Sequence, residues 1–190
     1  LNWKTIIKKL IAGYSSCVPD RFNQIVFVAS FIKPWNLASL QLTLGQMPYL
    51  IGPQIASPQV QINTEMRKKL VLSFAENSFE ALLEKIIPMQ IPTVYIEGYF
   101  EMHRKALKAF PKSPKLIFSS TGLYFDEGFK FWAAAKVEQG IKLVGSQHGG
   151  HYGNSLISTK EDHEIACSDR YISWGWKKEN TSKVTPLPSG

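Results

Sequence analysis

Cysteine is scarce in this sequence, and long apolar runs are missing from it. The 190 residues contain two cysteines, Cys17 and Cys167, which give no sign of a disulfide framework and favour a reducing compartment. No stretch comes near the roughly 20 apolar residues that a membrane-spanning helix needs, and no signal peptide is recognisable. We therefore expect a cytoplasmic protein, with a position at the inner face of a membrane as a further option.

Acidic residues are fewer than basic ones, because 15 Asp and Glu stand against 22 Lys and Arg, for a net charge of +7. The basic residues are dispersed in short groups, so we expect most of them on solvated helix faces. Attraction to an anionic substrate, or peripheral contact with an anionic membrane surface, is the functional alternative. No known nucleic-acid-binding motif accompanies the charge, so a nucleic-acid partner is not expected.

Short apolar, β-branched runs predict strands, and apolar residues at helical spacing predict helices. Gly13 is expected to end the first helix, and Pro88 is expected to end a helix that Asn77 caps. Strands that alternate with helices predict an α/β fold, with a Rossmann-like parallel sheet flanked by helices. The predicted strands are 25–29, 93–96, 116–120, 141–145 and 170–174, and the predicted helices are 3–11, 35–44, 64–75, 78–87, 97–110 and 126–139.

The motif with the most chemical content is residues 147–153, which read Gln-His-Gly-Gly-His-Tyr-Gly directly after a predicted strand. Its glycines let backbone N–H groups approach a ligand and form an anion-binding nest. His148 can titrate near neutral pH and act as a base, or it can be a structural hydrogen-bonding residue. His151 is either a ligand contact or a loop residue bonded to backbone. Tyr152 either stacks on a sugar ring or packs under the loop.

Other candidates follow from the same sheet edge, since ligands of parallel sheets bind beyond the carboxyl ends of the strands. Glu97 follows the predicted strand 93–96 and could orient a substrate hydroxyl, or it could be a first-turn helix acid. Ser120 and Thr121 could line the cleft or cap a helix.

A zinc site is the weaker possibility at the motif. His148, His151, His163 and Cys167 have a spacing similar to that of zinc ligands. The two loop histidines leave a strand into a glycine-rich loop, however, and His163 sits in a charged run. No metal site is expected on these grounds, and a zinc-dependent hydrolase using His148 and His151 is kept as an alternative function.

Three segments together carry a family resemblance: the motif at 147–153, the run Ser-Asp-Arg-Tyr-Ile-Ser-Trp-Gly-Trp at 168–176, and Pro-Leu-Pro-Ser-Gly at 186–190. They resemble a family of bacterial surface-carbohydrate transferases that is similar to capsule-polysaccharide and CDP-glycerol glycerophosphotransferase enzymes. The resemblance covers about residues 141–190; upstream, only the α/β rhythm matches.

The resemblance implies a GT-B architecture, in which two Rossmann-like domains face a cleft, and this chain would be one half. Residues 1–180 would be the N-terminal, acceptor-side domain, and residues 181–190 would begin the interdomain linker. The segment 186–190 is predicted to be a loop, and the chain lacks an initiator Met. We therefore expect a piece of a longer protein, with the donor site in an absent second domain and no activity of this piece alone.

The implied activity is transfer of a sugar, or of a phosphoglycerol-like unit, from a nucleotide-activated donor to a cell-surface polysaccharide acceptor, without a bound cofactor. His148 matches the position of the general base. A non-catalytic module that binds a ligand or partner is the alternative from a different class. The expected substrate-binding residues are Gln147, Gly149, Gly150, His151, Tyr152, Glu97, Ser120 and Thr121.

Overall fold

The structure, a computed structural model, describes residues 3–50, 52–179 and 181–188. The chain divides into two compact units. The sheet unit comprises Leu1–Ile55 and Ala106–Gly190, and the helical unit comprises Ala56–Lys105.

The helices and strands alternate along most of the chain, with a purely helical stretch between the first two strands. Two short 3₁₀ helices, Asp20–Phe22 and Thr93–Tyr95, interrupt the connections. In chain order the elements are α1 (Trp3–Cys17), β1 (Ile25–Val28), α2 (Pro34–Thr43), α3 (Thr64–Lys68), α4 (Ser78–Gln90), α5 (Tyr99–Ala109), β2 (Leu116–Ser119), α6 (Gly122–Phe125), α7 (Glu127–Glu138), β3 (Lys142–Ser146), α8 (Thr159–Cys167), β4 (Arg170–Trp174) and β5 (Val184–Leu187).

In the described part of the chain, five strands form one parallel sheet in the order β1-β2-β3-β4-β5. Val28 pairs with Ser119, and Ser119 pairs with Gly145, so the first three strands end level with one another. Helix α7 packs against β3, and α8 packs against β3 and β4. The predicted α/β class, with a Rossmann-like parallel sheet flanked by helices, is therefore confirmed, and the loops that follow the strands leave from one edge.

The core of the sheet unit lies between the strands and α7. Val26, Ile117 and Leu143 are buried on successive strands. Trp132 of α7 is fully buried, stacks on Phe110 with ring centroids 4.9 Å apart, and donates its indole N–H to the Pro111 carbonyl at 3.0 Å. Burying so large a ring while satisfying its one donor is the arrangement expected of a core tryptophan.

Four of the five predicted strands are confirmed, and the fifth, Thr93–Ile96, is wrong. Its β-branched residues suggested a strand, but they follow Pro92 and form a 3₁₀ turn in which Ile96 N–H donates to Thr93 O at 3.2 Å. The sequence did not predict β5, because its Pro186 reads as a loop residue. Proline is tolerated there because β5 lies at the edge of the described sheet. Ser189 and Gly190 lie outside the described residues.

The predicted helices are found, but several of their ends differ. Helix α1 runs through Gly13, whose backbone does not take the left-handed conformation that ends helices. Helix α4 runs through Pro88 to Gln90, although the proline supplies no N–H to the helix. The helix predicted over 64–75 ends at Lys68. Helices α6 and α8 were not predicted.

Within the described residues, no helix combines the length and apolar character needed to cross a membrane. Several apolar side chains of α4 are solvent-exposed, with Phe79 66% accessible.

Candidate functional site

Gln147 fixes the loop at residues 147–153 to the segment that follows β4. Its buried carboxamide oxygen accepts the Trp174 backbone N–H at 2.8 Å and the Trp176 indole N–H at 2.7 Å. Its NH₂ group donates to Gly149 O at 2.6 Å. The side chain predicted to bind substrate is therefore occupied with internal hydrogen bonds that set the path of the loop.

His148 lies at the carboxyl end of β3 and contacts a buried carboxylate. Its Nε2 is 2.9 Å from Oε1 of Glu164 and 2.7 Å from the hydroxyl of Tyr152. The Tyr152 hydroxyl also donates to the same Glu164 oxygen at 3.1 Å. The side chain of His148 is 12% accessible and that of Glu164 only 2%, so the imidazole is mostly buried and a small part of it reaches solvent.

Glu164 is held by two tyrosines besides the imidazole. Its Oε2 accepts the Tyr171 hydroxyl at 2.9 Å. Burial, and then the charge of Glu164, raise the pKa of Tyr152 and the pKa of Tyr171. Both phenols therefore stay protonated and act as donors to the carboxylate. Both oxygens of this buried carboxylate therefore have hydrogen-bond partners.

The loops after β1 and β2 meet near the same imidazole. Phe31 is 63% accessible, and its ring centroid lies 5.7 Å from that of His148. Its backbone N–H donates to Ser120 Oγ at 3.2 Å, and Ser120 Oγ lies 2.7 Å from Ser146 Oγ. Thr121 donates its backbone N–H to Ala29 O at 3.3 Å. Ser120 and Thr121 thus tie neighbouring loops together at the predicted edge.

Tyr152 and His151 differ in their surroundings. Tyr152 is buried in a cluster with Ile165, Tyr171 and Val184, so it packs under the loop. His151 is exposed, with its ring centroid 4.5 Å from that of Tyr152. Around Gly150 the space is open, which leaves the tip of the loop accessible.

Glu97 belongs to the helical unit and is engaged there. Its carboxylate forms a two-point ion pair with Arg67, at 2.7 Å and 2.8 Å, and accepts the Asn63 N–H at 2.9 Å. The hydrogen bonds from Arg67 lower the pKa of Glu97 to about 2. The reason for placing Glu97 at the sheet edge was the strand over 93–96, and that strand does not exist.

The residues considered for zinc do not gather into one site. His163 approaches Cys167 Sγ at 3.8 Å on one face of α8, whereas His148 is bonded to Glu164. Nowhere in residues 3–50, 52–179 and 181–188 do three or more His, Cys, Asp or Glu side chains form a group that could hold a metal ion. The zinc interpretation therefore has no ligand cluster in the described residues.

Sequence reasoning missed Glu164 because it missed helix α8. The signal was present: Ser158 and Glu161 have the spacing of a capping box, and Ser158 does accept the Glu161 N–H at 3.4 Å. A helix from Thr159 places Glu164 and Ile165 on its inner face, where both are buried. Tyr171 lies on a strand that was predicted, but a single strand tyrosine carries no sign of its partner.

A known protein family matches the whole length of the chain. Residues 1–190 match the family described as LIC12162 family transferase, so the match extends well upstream of the motif at 147–153. No curated protein and no solved structure matches the chain significantly. The family description names the class of enzyme, and the match includes both the sheet unit and the helical unit. The chain therefore belongs to the LIC12162 family of transferases.

Proposed function

We propose that the protein transfers a sugar, or a phosphoglycerol-like unit, from a nucleotide-activated donor to a hydroxyl of a cell-surface carbohydrate, with His148 as general base. One observation carries the proposal: a partly accessible imidazole at the carboxyl end of a parallel strand, backed by a buried carboxylate at 2.9 Å. Ligands of parallel sheets bind at that edge, and a histidine backed by a carboxylate is a recurrent proton acceptor.

The chemical step balances with one base and no further reactant. His148 takes the proton of the acceptor hydroxyl as that oxygen forms a bond to the anomeric carbon, or to phosphorus, of the donor. The bond from that atom to the nucleotide phosphate breaks, and the phosphate oxygen leaves with the electron pair. The charge of the resulting imidazolium is neutralised by Glu164. A well-placed base of this kind contributes roughly 10² to 10⁴ in rate.

Other residues of the same edge suit such substrates. The accessible ring of Phe31 beside the imidazole offers a flat apolar face for a sugar ring or a base. The open space at Gly150 leaves room for an anionic group, and His151 is exposed next to it. The net charge of +7 favours an anionic donor. A nucleotide donor places the reaction in the cytoplasm, at or near the inner face of the membrane.

The GT-B expectation assigns the donor site to a second domain, so the test uses the full-length protein. A panel of nucleotide-sugars and CDP-glycerol is screened first for binding and for release of the nucleotide product. His148→Ala should then lower turnover at least 100-fold, because the base is lost.

The matched control is His103→Ala, since His103 lies on α5 in the helical unit and stacks on Tyr99. It should leave turnover within about twofold of the wild type. If His148→Ala keeps its turnover and the pH profile of the wild type, His148 is not the base and the proposal fails.

A further inference from the structure

We infer that Glu164 is a positioning residue, which holds the proton of the neutral His148 imidazole on Nε2 and leaves Nδ1 as the basic nitrogen. The inference rests on the proposed function for its chemical meaning. Its structural content, the position of one proton and the residue that fixes it, can be measured without any substrate.

Three polar atoms, one of them in the imidazole ring, lie within hydrogen-bond distance of one another and form a triangle. Nε2 of His148, Oε1 of Glu164 and the hydroxyl of Tyr152 are separated by 2.9 Å, 3.1 Å and 2.7 Å. All of the hydrogen-bond contacts of the imidazole are at Nε2. Among the residues that the structure describes, none bonds to Nδ1.

Oε1 of Glu164, one of the three atoms of the triangle, can only accept a hydrogen bond. The proton of the neutral ring is therefore placed on Nε2. An ionised carboxylate has only lone pairs. If the lone pair of Nε2 also pointed at Oε1, two acceptors would face each other at 2.9 Å. A proton on Nε2 converts that repulsion into a charge-assisted hydrogen bond. The neutral ring then has its free lone pair on Nδ1, which is the tautomer logic of carboxylate–histidine pairs.

The two phenols keep the carboxylate available for this task. Tyr152 donates to Oε1 and Tyr171 donates to Oε2, so the anion has donors on both oxygens. Another titratable group also acts on this cluster, because the charge of Glu161 of α8 raises the pKa of Tyr152. The Glu164 backbone is fixed as well, because Ser168 Oγ donates to Glu164 O at 2.7 Å.

The first experiment observes the proton directly. The protein is labelled with ¹⁵N-histidine, which gives signals from four residues, and His148→Gln identifies those of His148 by their loss. The wild type should show an unprotonated Nδ1 and a protonated Nε2, whose proton resonates downfield and exchanges slowly because it is bonded to a carboxylate. In Glu164→Gln that proton should move upfield or be lost to exchange with water.

The matched control is Asp162→Asn, which removes an exposed carboxylate on the same helix that pairs with Lys178 and should leave the His148 signals unchanged. A wild-type proton on Nδ1, or an Nε2 proton signal that Glu164→Gln does not alter, would overturn the inference. The wild-type tautomer is measured without Glu164→Gln, so the test stands even if that variant does not fold.

Kinetics then separate this inference from the proposed function. Glu164→Gln should lower kcat at least tenfold with KM nearly unchanged, because substrate contacts remain while the base is no longer oriented. If His148→Ala abolishes turnover but Glu164→Gln keeps the wild-type kcat, positioning by Glu164 is refuted and the proposed base survives. If the tautomer is as stated but His148→Ala retains turnover, the proposed function fails instead.

Discussion

Gly153 is the last residue of the loop at residues 147–153 and lies close to the ring of Trp176. Its φ is +76°, and a Cβ placed there would lie 2.7 Å from Cγ of the Trp176 ring. Gly153→Ala should therefore destabilise the protein by more than about 1 kcal/mol, since the backbone conformation alone costs an alanine roughly that much. The measurement is the free energy of unfolding in urea.

A second glycine separates the two causes of that loss. Gly45 has nearly the same φ, +71°, but nothing lies within 4 Å of the position its Cβ would take. Gly45→Ala should incur the backbone cost without the clash. If both alanine variants lose the same stability, contact with Trp176 contributes nothing, and the packing of the loop on that ring is not what fixes it.

At the scale of single residues, the sequence predicted the site residues only where they are close together along the chain. Residues 147–153 stand together in the chain, and His148 follows a strand that could be predicted. Glu164 is 16 positions away from His148 on an unpredicted helix, so no spacing rule connects them. Gln147 was predicted as a substrate contact, yet its partners Trp174 and Trp176 are known only once β3 and β4 are paired.

At the scale of an element, α7 is a helix that can be predicted from residues at its own ends. Asp126 accepts the Phe129 N–H at 2.8 Å as the N-cap of this helix. Asp126→Ala should lower the free energy of unfolding by about 1 kcal/mol, because a helix N–H loses its partner. Asp126→Asn keeps an acceptor oxygen and should cost only a few tenths. Equal losses in a urea titration would mean that the cap bond is not the source of stability.

Local end signals were reliable for α7 but not for every helix, because α1 runs through Gly13 and α4 runs through Pro88. Helix α7 has its cap and its terminating glycine in the sequence, and its bounds matched. The segment 93–96 has the composition of a strand, but a strand needs a neighbour to pair with, and the described helical unit contains none. Strand β5 is the converse case, because its pairing with β4 outweighs the loop signal of Pro186.

At the scale of the whole molecule, the composition and the alternation of strands and helices were enough to predict the α/β class. They did not predict the division into two units. Between β1 and β2, the segment Ala56–Lys105, which contains α3 and α4, folds as the separate helical unit. The strand order also follows the chain order without a reversal. Which strands become neighbours depends on long-range packing, and a repeating pattern of strand and helix does not encode it.

The helical unit depends on an ion pair that the sequence did not reveal. Arg67 is 1% accessible and its partner Glu97 is 7% accessible. The same guanidinium donates to the carbonyls of Pro88, Met89 and Ile91 at 2.8–3.1 Å. One side chain thus joins α3, the end of α4 and the segment before α5, so its loss should loosen the entire unit.

This ion pair predicts how stability depends on pH. Hydrogen bonds from Arg67 lower the pKa of Glu97 from 4.5 to about 2, so the folded state binds its proton less readily than the unfolded state. The stabilisation is then complete above pH 4.5 and disappears as the pH falls toward 2. The wild type should be more stable than Glu97→Gln by a constant amount near neutral pH, and this difference should shrink below pH 4.5. Urea unfolding of both proteins across that range measures it.

Glu65→Gln is the matched control, because Glu65 pairs with Lys68 on the surface of the same unit, where both side chains are largely accessible. Its unfolding midpoint should follow that of the wild type at every pH, since exposed pairs contribute little. A difference between the wild type and Glu97→Gln that stays constant down to the lowest pH would show that ionisation of Glu97 does not stabilise the fold. The contribution of Arg67 would then come from its hydrogen bonds to the backbone carbonyls.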